Sequence, residues 1–378
     1  MRATNTNLIS EDLRKDKINV VFNAEIPNLN THEQEGKARS KKATMARIFK
    51  NKPGLTSCTG FMYSRRSVLF PSTSTRSIET LAFEEARSPS HKPIADYSAF
   101  VLHGLMGSAR NWRSFSRNLA SSLSTFSPPS DWKMVLVDLR NHGRSAGLSG
   151  LHPPHDIPSA ANDVANLVKS HGWSWPDVVL GHSMGGKVAL HYAMSCARGD
   201  YGPSAKLPKQ LWVLDSVPGI VHPEETSGEV EKVLETLQGI PKTIPSRKWL
   251  VDHLINLGFS KSLSEWLGTN LKKSGEHETF SFDLDAIIQM FDSYREMDYW
   301  PLLEHPPKGM EIVIVRAENS DRWDPHVTQR LESLDNKRGD ESEGKVSVVV
   351  LPKSGHWVHV DNPKGLLEIV IPKMASLA

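Results

Sequence analysis

The sequence predicts an α/β fold: a mostly parallel central sheet with helices on both faces and a helical cap insertion. Three observations predict it. From Leu81 onward, short apolar runs rich in β-branched residues alternate with stretches of helical periodicity, the pattern of right-handed βαβ units. One run, Val178-Val-Leu180, breaks at Gly181-His-Ser-Met-Gly185 and continues as a helix-compatible stretch, Lys187 to Met194. The alternation stops after Asp215 and resumes at Glu311, leaving helical patterns between.

The elements follow in order. Leu81–Glu84 and Tyr97–Leu102 read as the first strands, bracketing a proline-containing loop. Trp112–Leu123 has a helical apolar pattern, and Trp132–Asp138 is another strand. Ile157–His171 reads as a helix, Val178–Leu180 as the strand beneath Ser183, Val188–Ala197 as the helix after it and Gln210–Asp215 as the next strand. Residues 220–305 carry helical patterns at Glu229–Leu237, Lys248–Leu257 and Asp285–Tyr294 and no convincing strand. An all-helical insertion at that place reads as a cap over a site. Glu311–Val315 resumes the sheet, Val346–Leu351 is the last strand, and Pro363–Met374 is the closing helix. Asp335–Lys345 reads as a charged loop. The expected organisation is an N-terminal extension over 1–80, a core of 81–219 and 306–378, and a cap of 220–305.

Composition bounds the function. The 378 residues carry a net charge of +2, which gives no reason to expect nucleic-acid binding. The two cysteines, Cys58 and Cys196, are far apart and lack metal-ligand spacing, so neither a disulfide framework nor a zinc site is expected. No apolar run approaches the roughly 20 residues that span a bilayer. No cofactor or metal is expected. Residues 1–44 are polar, mixed in charge and aperiodic, the signature of disorder. Met45–Ser77 contains Arg47, Lys50, Lys52, Arg65, Arg66 and Arg76, many Ser and Thr, and no Asp or Glu. That composition marks a mitochondrial or chloroplast transit peptide, with Met45 as a candidate start; a cytoplasmic location is the alternative.

The chemistry centres on Ser183. It stands at the apex of G-x-S-x-G between a strand and a helix, where a strained backbone lifts Oγ clear of the sheet. Side chains at Gly181 or Gly185 would collide with the neighbouring strand and helix. The turn aims the Met184 backbone N–H and a helix N-terminus at the place where an oxyanion would develop. His103-Gly104-Leu105 after an early strand offers a second donor, the Leu105 backbone N–H. A serine hydroxyl needs a base, and the base needs a group to fix its tautomer. His356, in Ser354-Gly-His-Trp-Val-His359 after the last strand, is the expected base, with His359 structural. His103 and His182 read as supporting residues. Three aspartates compete to orient His356. Asp215, at the end of the strand after the nucleophile helix, is preferred on placement; Asp321 follows the next strand, and Asp285 lies on a cap helix. Asp138-Leu-Arg-Asn-His-Gly-Arg-Ser145 reads as a structural turn signature.

Taken together, H-G-L-x-G, D-x-R-N-H-G-R-S, G-H-S-M-G-G-K and G-H-W-x-H over about residues 95–376 resemble the α/β-hydrolase superfamily, and within it the group around alpha/beta-hydrolase domain-containing protein eleven and small bacterial esterases. The resemblance implies an α/β-hydrolase fold and hydrolysis of acyl esters or thioesters, and it supports Ser183 and His356. For the acid, the bacterial relatives imply the position of Asp215. The animal relatives imply an N-L-D-A-L segment, which Asp283-Leu-Asp285-Ala-Ile287 resembles. Relatives usually show G-G-N-S where this chain has Glu318-Asn-Ser-Asp321, and this leaves Asp321 open. Animal relatives are mitochondrial, in line with a targeting segment. The expected function is a serine hydrolase working through an acyl-enzyme on a small acyl-ester or lipid-like substrate. The alternative is a non-hydrolytic ligand-binding or partner-stabilising protein on the same scaffold.

Overall fold

Nine strands, eleven α-helices and two short 3-10 helices are seen in the computed structural model, among the residues it describes: 80–89, 95–126, 129–222, 228–336 and 342–378. The extension of 1–80, with the Met45–Ser77 segment and Cys58, lies outside these residues except for Thr80. The strands are β1 (Phe83–Arg87), β2 (Tyr97–Leu102), β3 (Trp132–Val137), β4 (Val178–His182), β5 (Gln210–Leu214), β6 (Leu271–Ser274), β7 (His277–Phe280), β8 (Glu311–Ala317) and β9 (Lys345–Leu351). Seven of them form one sheet in the order β1-β3-β2-β4-β5-β8-β9. All neighbours in it are parallel except β1, which pairs antiparallel with β3 at the edge.

The apolar runs explain the parallel centre. Every residue of β4 and β5 is buried, as expected for strands covered on both faces. Side chains alternate between two layers: Val179 joins one core cluster, Val178 and Leu180 the other. One layer holds α1 (Arg113–Thr125), whose Phe115, Leu119 and Leu123 pack with Leu366 and Val370. The other holds α2 (Ile157–Ser170) and α3 (Met184–Arg198). Each such fully buried aliphatic side chain contributes about 1.5–3 kcal/mol.

Between β5 and β8 the chain leaves the sheet. It builds α4 (Glu229–Gln238), α5 (Arg247–Asn256), α6 (Lys261–Thr269), α7 (Leu284–Glu296) and α8 (Trp300–Glu304). Their buried leucines and aromatics belong to the same cluster as α2 and α3, and core and insertion lie within one compact unit. The insertion is not all-helical as expected. β6 and β7 form an antiparallel hairpin, Leu271↔Phe280 to Ser274↔His277, joined by Gly275-Glu276 with Gly275 at φ +64. A two-residue turn opening on glycine at positive φ is hairpin chemistry. The signal is in the sequence, but polar, mostly exposed strands give no apolar alternation to mark them. After β8, α9 (Pro325–Asp335) starts behind an Asp324 cap and extends through a stretch with no strong apolar pattern. Short α10 (Val358–Asp361) and α11 (Pro363–Ala375) end the chain.

Candidate active site

β4 is central in the sheet, so the turn after it stands in the middle of the carboxyl edge, where open α/β sheets place ligand sites. Ser183 sits on that turn at φ 52, ψ −121, and α3 begins at the next residue. The flanking glycines are sterically required. A Cβ on Gly181 would lie 2.0 Å from the Gly185 carbonyl oxygen, and one on Gly185 would lie 2.5 Å from the carbonyl oxygens of Leu102 and His103. The Ser183 N–H donates to the Leu214 carbonyl at 3.0 Å, tying the turn to β5.

The loop after β2 approaches from one side. Met106 is at φ 57, and its N–H donates to His142 Nε2 at 3.0 Å. His103 braces the same loop: its Nδ1 donates to the Gly104 carbonyl at 2.8 Å and its Nε2 accepts from the Leu139 N–H at 3.0 Å. Burial pushes His103 down to about 4 and His142 down to about 3, so both act as neutral struts. The Leu105 and Met184 amides, the two candidate oxyanion donors, have no acceptor among the described residues. Both residues line the cavity that Ser183 lines.

The structure brings one of the three aspartates to His356. Asp215 Oδ2 accepts from His356 Nδ1 at 2.8 Å, although the two lie 141 positions apart. Asp215 is fully buried, at φ 45, and takes three further bonds. Oδ1 accepts from the Ala317 N–H at 3.0 Å and from Trp323 Nε1 at 2.6 Å; Oδ2 also accepts from Ser320 Oγ at 2.7 Å. Burial alone would raise its carboxyl, but the bonds and charge from His356, Ala317 and Trp323 win and hold it below the usual range. His356 is itself pushed down by burial and by the Arg322 charge, against the opposing pull of Asp215. The bond fixes the proton on Nδ1 and leaves Nε2 an acceptor.

Asp321 and Asp285 are not brought to the ring. Asp321 is exposed and borders an adjoining cavity. Asp285 is exposed in the first turn of α7, and the neighbouring Asp283 caps that helix by accepting from the Ala286 N–H. The D-L-D-A segment therefore reads as a helix start, with acidic charge where the macrodipole favours it.

Supporting side chains complete the site. His182 Nε2 donates to the His356 carbonyl at 2.8 Å, and His359 stacks on Trp112 with ring centroids 3.9 Å apart. Asp138 ties its turn together by accepting from the Ala109 N–H at 2.8 Å and from Arg144 Nε at 3.2 Å. Ser320 and Trp323 were not legible beforehand as partners of an aspartate; only the Asn319-Ser320 pair after β8 marked the place. Nor was Lys187. It is fully buried on α3 and donates to the carbonyls of Gly219, Tyr294 and Met297 at 2.6, 2.6 and 2.8 Å. Burial pushes it down to about 7, opposed by the Asp298 charge, while three carbonyls at bonding distance call for a full ammonium. Buried Cys196 has its thiol pushed up to about 12 and is no nucleophile at neutral pH.

An open cavity joins these parts. Its floor is the sheet edge, with Leu105, Ser183, Met184 and His356; its roof is the insertion, with Val230, Val233, Leu263, Trp266 and Phe291. Among the described residues, no group of three or more His, Cys, Asp and Glu could hold a metal ion, and no helix is long and apolar enough to cross a membrane.

This fold and edge define an α/β hydrolase. The alpha/beta hydrolase family model matches residues 99–369, and the chain belongs to that family. Among curated relatives, it is 25% identical over 277 residues to the sn-1-specific diacylglycerol lipase ABHD11 of Mus musculus, covering 72% of this chain and 80% of the mouse protein. It is also 25% identical over 293 residues to a probable alcohol acetyltransferase of Saccharomyces cerevisiae, covering 72% of this chain and 75% of the yeast protein. Among solved structures, a marine microorganism esterase shares the fold with a TM-score of 0.59 at 22% identity, over 79% of this chain and 99% of that one. The chain thus resembles the ABHD11 group, and its lipase and esterase relatives support hydrolase activity in general.

Proposed function

We propose that this protein is a serine hydrolase that cleaves carboxylic ester or thioester bonds through an acyl-enzyme. The observation that carries the proposal is the Asp215–His356 bond of 2.8 Å, together with a cavity that His356 and Ser183 both line. Ser183 Oγ attacks the carbonyl as His356 Nε2 takes its proton. The tetrahedral oxyanion is held by the Leu105 and Met184 amides, and His356 returns the proton to the leaving group. Water, deprotonated by His356, then attacks the acyl-enzyme and releases the acid. Asp215 keeps the ring in the right tautomer and stabilises the imidazolium as it forms.

The lipase and esterase names among the relatives support an ester substrate, and the apolar roof favours an acyl chain. The test is covalent labelling by a fluorophosphonate probe. The wild type should be labelled and should hydrolyse short-chain esters, and Ser183→Ala should do neither while remaining folded. A well-folded wild type that takes no label overturns the serine mechanism in favour of a binding role. Organellar import, to mitochondrion or chloroplast, belongs to the same proposal on the composition of Met45–Ser77. Residues 1–80 fused to a fluorescent protein should leave the cytosol; diffuse cytosolic signal would sink it.

A further inference from the structure

The loop after β8 carries Ser320, Arg322 and Trp323. Ser320 and Trp323 are engaged by Asp215. Arg322 is engaged by nothing: among the described residues its guanidinium has no hydrogen bond or ion pair, and its Nε is buried without a partner. A buried donor left unpaired destabilises the fold, the more so when it is charged. Arg322 lines the cavity that Ser183 and His356 line and also an adjoining cavity. Val230, Phe291, Tyr294 and the exposed Glu229 also border both, so Arg322 stands at the junction between them.

The nearby carboxylates do not neutralise it. Asp215 is saturated by four donors. Glu231 bonds Arg295 at 3.5 Å, and Asp324 is spent on the His326 N–H at the start of α9. Glu229 borders both cavities and Asp321 the adjoining one; both are exposed, and neither bonds Arg322. A cation therefore lines the cavity of the candidate nucleophile, and among the described residues no carboxylate bonds it.

We infer that Arg322 is a specificity-determining residue: it binds an anionic group, carboxylate or phosphate, on the ester or thioester whose carbonyl meets Ser183. The inference rests on the serine-hydrolase reading and deepens it by naming the substrate class. A guanidinium offers paired N–H donors that match two oxygens of a carboxylate or phosphate, whereas a neutral chain leaves them unpaired. The anionic group is a spectator; no bond to it forms or breaks. The charge of Arg322 also bears on His356, which it pushes down. A bound anion offsets that charge and lets His356 rise.

The experiment uses the full chain and two matched substrate pairs. One compares glutaryl with pentanoyl esters of 4-methylumbelliferone. The other compares 1-acylglycerol 3-phosphate with the 1-acylglycerol bearing the same acyl chain. The wild type should favour the charged member of at least one pair by roughly 10- to 100-fold in kcat/KM. Which pair responds tells carboxylate from phosphate. The ratio should shrink as ionic strength rises, should collapse toward unity in Arg322→Gln, and should survive in part in Arg322→Lys. In Arg322→Gln the acid limb of the pH profile for the neutral ester should move to higher pH. A wild type that treats both members of each pair alike overturns the assignment and leaves the serine mechanism standing, and so does a preference that persists in Arg322→Gln. A wild type that cleaves no ester and takes no fluorophosphonate overturns both.

Discussion

The sheet edge and the insertion that roofs it meet at one cavity, yet they are built on opposite principles. The edge is polar and over-determined. Five non-glycine residues with positive φ occur among the described residues: Met106, Asn141, Ser183, Asp215 and Lys353. They sit in the loops after β2, β3, β4, β5 and β9, all on the carboxyl side of the sheet. Each such backbone costs of order 1–3 kcal/mol and persists only where its surroundings insist on it. Here they do, since buried histidine struts, the four-donor cradle of Asp215 and the glycine-tight turn leave no alternative. The insertion is held differently. Its roof over the cavity is made largely of Val, Leu and aromatic side chains, while outer pairs such as Lys248–Asp252 and Lys261–Glu265 are exposed. Such i,i+4 pairs contribute only a few tenths of a kcal/mol. The difference teaches that the edge fixes atoms for chemistry, whereas the roof supplies surface and can change with the substrate.

Acid should separate the two regions most sharply. His103, His142, His182, His356 and His359 all lie at the sheet edge and are all pushed below 6.5, with His142 and His359 at about 3. Below 6.5 the unfolded chain takes up protons that the folded chain refuses, so stability is present above that pH and is lost as pH falls. Each histidine can cost about 1.4 kcal/mol per pH unit until its folded value is reached. The unfolding midpoint should drop steeply between pH 6 and 4, with net proton uptake measurable by calorimetry in buffers of different ionisation enthalpy. A flat profile would contradict neutral buried histidines. For activity the sign is the same. On the proposed mechanism His356 must be unprotonated to take the serine proton, so kcat/KM should hold below pH 6.5 and fall at a lower pH.

Asp215→Asn tests the edge itself. It should lower kcat by about 10⁴-fold through loss of the correct His356 tautomer. Asp321→Asn and Asp285→Asn should stay close to wild type. A greater loss in either of those would move the acid away from Asp215.

Lys187→Met probes the seam. The ammonium joins the helix behind Ser183 to the carbonyls at the end of α7 and at Gly219, where the chain leaves the sheet. Removing it strands three buried carbonyls and should cost about 3 kcal/mol or more, read from the urea midpoint. Unchanged stability would mean that the insertion docks by apolar packing alone.

The smallest effect belongs to the roof. Trp266 lines the cavity and lies 5.8 Å, centroid to centroid, from Trp357. Trp266→Ala should raise KM by about 10-fold and change kcat little. An equal fall in kcat would mean that the roof contributes to the chemistry and the contrast drawn above is too simple.

Much of this protein was settled by local sequence. Alternating apolar runs dictated the parallel sheet, because strands buried on both faces must be apolar along their whole length. Gly181 and Gly185 flagged the turn at Ser183, because only glycine lets a helix start so close to two strands. The polar hairpin β6–β7 escaped, having no buried face to write into the sequence. Tertiary structure alone decided which aspartate meets His356, that Ser320 and Trp323 hold it, that Lys187 ties the insertion down, and that Arg322 has no partner among the described residues. Periodicity records what a residue does for its own helix or strand. A contact between positions 215 and 356 depends on how β5, β8 and β9 lie side by side, and that is fixed only when the sheet closes.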